Sequence, residues 1–275
     1  MSRHTKIVAT LGPASSTTEV LENLVQAGID VVRMNFSHGT VEDHIARATG
    51  IRAAAAKFGR TVGILGDLQG PKIRVGKFEG GKISLVPGET FILDAQCPLG
   101  NQERVGLDYK DLPKDVVNGD ILLLDDGRLK LEVLGVRGHE IHTRVLVGGD
   151  LSNNKGINRQ GGGLTAPALT AKDMDDIKTA AQIGVDFGAV SFPKSAADMS
   201  MARQLLRAAG STAALIAKIE RVEAITNLAE ILDASDGIMV ARGDLAVEVG
   251  DATVPALQKK MIRMARDKNK LTITA

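Results

Sequence analysis

The sequence predicts an α/β protein, a (β/α)8 barrel that lacks its last βα unit and carries an inserted, small all-β barrel domain. Two observations predict this fold. Near-continuous apolar, β-branched runs alternate with helical stretches at both ends of the chain, which is typical of a parallel sheet covered on both faces. Between them lies a region of short strands separated by turn dipeptides, which indicates a small barrel or sandwich.

Residues 1–69 are predicted to form the first part of the barrel. A Ser/Thr-rich segment, Ser15–Thr18, starts the first helix, and β-branched runs mark the strands. The predicted strands are 6–11, 31–36 and 61–68. The first predicted helix ends near residue 28, and the second runs over roughly 41–58. Three strands separated by two helices favour parallel strand pairing.

Residues 70–169 are predicted to form the inserted domain, because the spacing of turns becomes much shorter there. Its five turn dipeptides are Gly80-Gly81, Pro87-Gly88, Asn118-Gly119, Asp126-Gly127 and Arg137-Gly138. Polar, Gly-rich flanks at Asp67–Pro71 and Gly161–Gly163 predict hinges on both sides of the insert.

Residues 170–275 return to the βα rhythm and form the second, incomplete part of the barrel. Thr170 and Asp173 resemble a helix capping box, and four further strands bring the total to seven. Those strands are near 186–192, 213–219, 236–241 and 271–275. In segments 27–37 and 183–193 a Gly-x-Asp sequence precedes an apolar strand, and a Phe stands at the end of that strand, as expected for repeated βα units.

Composition excludes several classes of function. A formal net charge of +1, 3% aromatic residues and no Trp argue against a nucleic-acid partner. The single Cys97 excludes an internal disulfide and a thiol-based zinc cluster. No apolar stretch approaches the roughly 18 residues that a membrane span requires, and the amino terminus lacks a secretory pattern. We therefore expect a cytoplasmic protein without a membrane partner.

Polar residues gather at the exits of successive predicted strands, which in a barrel converge on one mouth. Lys218 and Glu220 are two residues apart on one strand and so point to the same side, and Asp244 follows the next strand. The other exit residues are Arg33, Asn35, Ser37, His38, Asp67, Lys72, Arg74 and Arg242. Two carboxylates beside a Lys suit a hard divalent cation that holds a phosphorylated substrate.

Six segments, in register along nearly the whole chain, resemble the pyruvate kinase family and most closely its bacterial members. They are TKIVATLGPAS (5–15), RMNFSHG (33–39), GDLQGPKIR (66–74), GLTAPALTAKD (163–173), AKIE (217–220) and MVARGDL (239–245). The resemblance implies transfer of a phosphoryl group from phosphoenolpyruvate to ADP, giving ATP and pyruvate, the last step of glycolysis. It also implies that the insert is a mobile lid and that the full-length form is a homo-oligomer, namely a homotetramer.

The resemblance further implies roles for individual residues. Lys218 and Arg33 match the catalytic cation and the phosphate-binding Arg, and Gly243 and Asp244 match the remaining substrate-binding positions. Glu220 and Asp244 match the Mg²⁺ ligands. The positions that match nucleotide contacts are Asn35, His38, Arg74 and, from the lid, Lys155, with Pro13 beside the same pocket.

A monovalent-cation site is also implied, by Asn35, Ser37, Asp67 and the carbonyl of Leu68. However, Lys72 stands at the loop position that is Glu in potassium-dependent members. Its ammonium group could take the place of the ion, so we expect a requirement for Mg²⁺ but not for K⁺. An ordinary potassium site with a solvated Lys72 is the alternative.

Three readings of function stay open at this point. The first is the catalytic core of a pyruvate kinase, and the second is a Mg²⁺-dependent lyase or aldolase that acts on pyruvate enolate. The third is a non-catalytic fragment, because the sequence stops at Ala275, before the Thr that helps to bind substrate in this family. The GPKIR loop and the β insert favour the first, since a simple enolate aldolase needs no nucleotide lid.

Overall fold

Strands and helices alternate along the protein in the computed structural model, which describes residues 3–275. The strands are β1 (Val8–Leu11), β2 (Val31–Asn35), β3 (Gly63–Asp67), β4 (Lys82–Leu85), β5 (Thr90–Asp94), β6 (Arg104–Gly106), β7 (Ile121–Leu124), β8 (Leu129–Arg137), β9 (Glu140–Val147), β10 (Gly149–Ser152), β11 (Ile157–Arg159), β12 (Phe187–Val190), β13 (Ala214–Ile219), β14 (Gly237–Val240) and β15 (Leu271–Thr274). The helices are α1 (Thr18–Ala27), α2 (Val41–Lys57), α3 (Leu112–Asp115), α4 (Ala171–Ile183), α5 (Ala196–Ala208), α6 (Val222–Thr226), α7 (Leu228–Ala234), α8 (Arg242–Val249) and α9 (Val254–Asp267).

The seven strands predicted for the two outer regions form one sheet in the order β1-β2-β3-β12-β13-β14-β15, and every pair is parallel. The sheet is curled, because both of its edge strands line one cavity of about 330 Å³. Thr10 of β1 and Ile273 of β15 both face this cavity. In a flat sheet these edges would lie six strand spacings apart, or about 29 Å.

Helix ends follow the capping chemistry of the sequence. The predicted capping box at the start of α4 is confirmed: the Thr170 side chain accepts from the Asp173 N–H, and the Asp173 carboxylate accepts from the Thr170 N–H. The helices bury apolar residues such as Val25, Ile51 and Leu206 against the outer face of the sheet. Within residues 3–275, we find no helix that combines the length and the apolar character needed to cross a membrane.

Three aspartates tie the amino ends of the seven strands together. Asp30, Asp186 and Asp236 each precede a strand, and each binds both neighbouring strands. The side chains accept hydrogen bonds from the backbone N–H groups of Ile7 (2.8 Å), Ile64 (2.7 Å) and Leu215 (2.7 Å) on one side. Their backbone carbonyls accept from Gly63 (2.9 Å), Ala214 (2.9 Å) and Leu271 (3.2 Å) on the other. We call these residues the aspartate clamps.

Residues 70–169 contain a two-stranded sheet, β10-β4, and a six-stranded sheet, β11-β7-β8-β9-β5-β6. Most pairs are antiparallel, whereas β5 and β6 are parallel. Side chains such as Phe91, Leu122 and Leu131 form an apolar core separate from that of the parallel sheet. In each predicted turn dipeptide the second residue is a glycine with a positive φ, as such turns require.

Candidate active site

A buried network of charged side chains lies at the carboxyl ends of β2, β3 and β13. Arg33 donates from Nε to Oδ2 of Asp67 at 2.6 Å, and its Nη2 lies 2.6 Å from the same oxygen in an ion pair. Oδ1 of Asp67 is 3.3 Å from Nζ of Lys218, which lies 2.9 Å from Oε1 of Glu220. The side chains of Asp67 and Glu220 are each only 1% exposed. The structure therefore brings together four of the predicted site residues.

Strand periodicity explains this convergence. Inside the curled sheet lies an apolar layer that includes Val31, Leu65, Ala189 and Ile216. Two residues further along each of these chains stand Arg33, Asp67, Ser191 and Lys218. Because residues two apart on a strand point to the same face, these polar side chains lie directly above the apolar layer. The apolar layer fixes the position of these polar side chains along the strands and keeps water away from one side of the network.

The Lys218 ammonium group has three acceptors around it. They are Oγ of Ser191 at 2.7 Å, Oε1 of Glu220 at 2.9 Å and Oδ1 of Asp67 at 3.3 Å. Burial alone lowers the pKa of Lys218, but the charges of Glu220 and Asp67 outweigh this effect and the pKa is raised. Lys218 is therefore a fixed positive charge inside the site.

Glu220 has the most perturbed carboxyl group of the network. Burial raises its pKa to about 7; the neighbouring charge of Lys218 opposes this rise, and repulsion from Asp244 adds to it. Its Oε2 also accepts a hydrogen bond from the backbone N–H of Phe192 at 2.9 Å. A divalent cation between Glu220 and Asp244 would relieve their repulsion, and carboxylate oxygens are ligands that Mg²⁺ prefers.

These two carboxylates would need further ligands from outside the protein. Within residues 3–275, no group of three or more His, Cys, Asp or Glu side chains is arranged to hold a metal ion. An octahedral shell around Mg²⁺ usually keeps waters and substrate oxygens beside one or two carboxylates. The donor set of Glu220 and Asp244 fits such a shared site.

Residues Arg242, Gly243 and Asp244 form the first turn of α8, immediately after β14. Together with Arg33, Lys218 and Glu220, they line the cavity of about 330 Å³. Asp244 also borders a larger cavity of about 950 Å³, which Asp126 and Lys130 of the insert line from the other side. The network therefore opens towards the insert.

The predicted monovalent-cation residues occupy the ends of β2 and β3. Oδ1 of Asn35 accepts from the backbone N–H of Ser37 at 3.0 Å, and the carbonyl of Leu68 accepts from the Ser191 hydroxyl at 2.7 Å. Asp67 already binds Arg33 and Lys218. Lys72 instead lines the cavity of about 950 Å³ beside Arg242, Gly243 and Asp244.

The predicted nucleotide-binding residues are divided between the sheet and the insert. Arg74 and Lys155 lie on neighbouring backbone segments of the insert, where the Val75 N–H donates to the Lys155 carbonyl at 2.9 Å. Arg74 donates to the carbonyl of Asn154 at 2.9 Å, and Lys155 lies 2.7 Å from Oδ1 of Asp125. Asn35 and the exposed His38 lie at the end of β2, and Pro13 lies in a short 3-10 helix after β1.

Two residues of the network, Ser191 and Phe192, were not among the predicted site residues. The sequence did contain a signal for them. When segments 27–37 and 183–193 are superposed by their shared pattern, Ser191 falls on Asn35 and Phe192 on Phe36. A repeat that places a polar residue at one strand exit therefore indicates a second one at the equivalent exit.

Comparison with known proteins agrees with the geometry. Residues 2–275 match the family model described as the barrel domain of pyruvate kinase. The chain belongs to the pyruvate kinase family. This confirms the resemblance found in the sequence.

Individual pyruvate kinases show how much of the family this chain represents. It is 59% identical to a pyruvate kinase of Haemophilus influenzae and 57% identical to pyruvate kinase II of Salmonella typhimurium, over 99% of its length in both cases. A crystal structure of a pyruvate kinase from Cryptosporidium parvum superposes with a TM-score of 0.93 at 37% identity, covering 98% of this chain and 57% of that one. The chain spans 58% of the length of the two bacterial relatives.

Proposed function

We propose that the chain supplies the catalytic part of a pyruvate kinase, which transfers the phosphoryl group of phosphoenolpyruvate to ADP and gives ATP and pyruvate. The observation that carries this proposal is the buried network of Arg33, Asp67, Lys218 and Glu220, which opens beside Asp244. We further propose that the curled sheet is the larger part of a (β/α)8 barrel and that residues 70–169 act as its lid.

Lys218 is placed to stabilise charge on the transferred phosphoryl group. In the loose transition state of phosphoryl transfer, negative charge spreads over the equatorial oxygens. A preorganised cation in a site that excludes water stabilises such charge strongly, because little reorganisation is needed. Lys218 has these properties, since its side chain is 11% exposed and has acceptors on three different strand exits.

Arg33 complements Lys218 as a phosphate-binding group. Its Nε and Nη2 are held by Asp67, and Nη1 donates to Oγ1 of Thr10 at 3.1 Å. The planar guanidinium is thereby fixed at the wall of the cavity, with about a quarter of its side chain exposed. A fixed guanidinium suits recognition of phosphate oxygens.

Glu220 and Asp244 would hold Mg²⁺, which when bound neutralises charge on the phosphoryl and enolate oxygens. The amino-terminal turn of α8 adds backbone N–H groups and the positive end of the helix dipole beside them. Gly243 lies in this turn, and the space within 4 Å of where a side chain would begin is empty. A substrate carboxylate can therefore approach the backbone there.

We propose that Lys72 makes K⁺ dispensable. The oxygens of Asn35, Asp67 and Leu68 already accept hydrogen bonds or ion pairs from protein groups. Lys72, in contrast, lines the cavity beside Gly243 and Asp244, where its ammonium group can attract the carboxylate of phosphoenolpyruvate. This placement supports an enzyme that requires Mg²⁺ but not K⁺.

The proposed function is tested by measuring ATP and pyruvate formation from phosphoenolpyruvate and ADP with Mg²⁺, using the protein as its gene encodes it. We expect both products in equal amounts. Pyruvate formation without ATP would contradict phosphoryl transfer to a nucleotide, and a folded protein that forms neither product would refute the proposal.

The potassium proposal is tested in tetramethylammonium buffer with and without KCl. We expect turnover to change little on addition of KCl, whereas Lys72→Glu should make turnover depend on K⁺ because it replaces the fixed cation by a carboxylate. A large, saturable activation of the parent enzyme by KCl would refute the role of Lys72.

A further inference from the structure

The turn that follows β12 contacts both of the charged groups on β13. Ser191 and Phe192 are the first two residues of this turn, and they are 1% and 7% exposed. The Ser191 hydroxyl binds Lys218, and the Phe192 backbone N–H binds Glu220. One dipeptide thus reaches the proposed catalytic cation and a proposed metal ligand together.

The direction of the Ser191 hydroxyl group follows from its partners. A hydroxyl group has one proton to donate, and the carbonyl of Leu68, 2.7 Å away, can only accept it. The lone pairs of Oγ are then free to accept from Nζ of Lys218, also at 2.7 Å. A second possible acceptor, Oδ1 of Asp67, lies farther away at 3.5 Å. Ser191 therefore links the loop after β3 to Lys218 in one defined orientation.

The backbone of the turn is held in an uncommon conformation. Phe192 has a φ of 55°, a left-handed value that a residue with a side chain rarely adopts and that its surroundings must stabilise. Its ring lies 5.2 Å from the guanidinium carbon of Arg221, which helps to hold it. In this conformation the Phe192 N–H points to Oε2 of Glu220.

The loop after β3 is packed tightly against the same turn. A Cβ atom on Gly70 would lie 2.8 Å from Cβ of Ser191 and 3.0 Å from its carbonyl oxygen, so this approach needs a glycine. The Gly70 N–H is held in turn by Oδ1 of Asp173 at 3.0 Å. The anchored loop therefore packs directly against Ser191 and limits the freedom of its side chain to turn away from Lys218.

We propose that Ser191 is a positioning residue that fixes the Lys218 ammonium group for the reaction and couples it to the loop of residues 68–70. This inference rests on the proposed function. The other two acceptors, Glu220 and Asp67, are carboxylates, and each attracts the ammonium group towards itself. Ser191 is neutral, so it holds Lys218 at a third point without offsetting the charge that the transition state needs.

The test compares Ser191→Ala with Ser235→Ala in the protein as its gene encodes it. Ser235 is a matched control, because it is also 1% exposed and its hydroxyl also donates to a backbone carbonyl, that of Ile231. We expect Ser191→Ala to lower kcat about 10- to 100-fold, the range for loss of a hydrogen bond to a charged group. KM for phosphoenolpyruvate should change less than about threefold, and Ser235→Ala should leave kcat unchanged.

Two further variants separate positioning from packing. Ser191→Thr keeps the hydroxyl group and should recover most of kcat, whereas Ser191→Cys keeps the approximate size but accepts hydrogen bonds weakly and should behave as Ser191→Ala does. If Ser191→Ala fails to fold, the comparison of the Thr and Cys variants decides the question.

The outcomes distinguish this inference from the proposed function. An inactive parent enzyme would refute the proposed function. An active parent with equal kcat in Ser191→Ala and Ser235→Ala, or in Ser191→Cys and Ser191→Thr, would overturn the role of Ser191.

Discussion

Lys218 at the end of β13 is proposed to stabilise the transferred phosphoryl group and Lys155 in the insert is predicted to contact the nucleotide, but the two side chains are held very differently. The Lys218 side chain is 11% exposed and has acceptors on three separate strand exits. The Lys155 side chain is 38% exposed and pairs with one carboxylate, Asp125, of the same insert. The first is fixed before substrate arrives, whereas the second must exchange its partner to reach a substrate. Substitutions at the two sites should therefore differ in size and in kind.

The largest effect is expected for Lys218→Met. Removing a preorganised cation from the transition state typically lowers turnover about 10²- to 10³-fold, and we expect kcat to fall by this amount while KM stays similar. The control is Lys270→Met, since Lys270 binds the carbonyl of Ser235 at 2.7 Å before β15, at the opposite end of the sheet. Steady-state kinetics give both constants, and an unimpaired kcat would remove Lys218 from the mechanism.

An intermediate effect, on stability, is expected where the insert meets α8. Glu248 is 7% exposed, and burial raises its pKa to about 7. The N–H of Val222, the side chain of Asn158 and the charge of Arg221 oppose this rise, whereas the charge of Glu223 adds to it. Between about pH 4.5 and pH 7 such a carboxyl group is still protonated in the folded protein but already ionised in the unfolded chain. The free energy of unfolding therefore falls as the pH rises through this range.

We therefore predict that Glu248→Gln stabilises the protein at pH 8 and has little effect at pH 5. The pKa difference between about 7 and the ordinary 4.5 corresponds to at most about 3 kcal/mol in the free energy of unfolding. Urea denaturation at both pH values measures this difference, with the exposed Glu103→Gln as control. Equal stabilities of parent and Glu248→Gln at pH 8 would show that burial of this carboxyl group costs nothing.

The smallest effect is expected for Lys155→Met. Because Lys155 is half-exposed and its ion pair with Asp125 competes with any ligand, we expect KM for ADP to rise about tenfold, or about 1.4 kcal/mol. Asp125→Asn should instead lower KM for ADP, since it releases Lys155. Lys82→Met is the control, because Lys82 forms an exposed ion pair with Asp150 in the same insert. Unchanged KM values in both Lys155→Met and Asp125→Asn would place the nucleotide elsewhere.

The parts of this molecule that local pattern determines were predictable from the sequence. Apolar runs gave the seven parallel strands, and the polar residues at their ends gave Arg33, Asp67, Lys218 and Glu220. The strands β6, β10 and β11 were not predicted, because the runs RVG, GDLS and INR are only three or four residues long and show no alternation. The pairing of β10 with β4 and of β11 with β7 joins segments that lie far apart in the sequence.

Side-chain partners were harder to predict than side-chain positions. The internal repeat indicates a polar residue at position 191, but the partners of Ser191, Leu68 and Lys218, are 123 and 27 residues away and no local pattern reveals them. The pairing of Lys155 with Asp125 likewise depends on how the insert folds. The roles of Mg²⁺ and K⁺ stay predictions, because they depend on ligands as well as on the chain.

The aspartate clamps lie at equivalent positions before three strands of the sheet, so positions along these strands can be counted from them. Asn35, Ser191 and Ala241 each stand five residues after a clamp, at Asp30, Asp186 and Asp236. A single-residue deletion between clamp and strand exit would leave the clamp intact and turn each later side chain to the opposite face. A point substitution at one of these exits therefore changes a single side chain in place, whereas a change in length between clamp and exit redirects every side chain that follows.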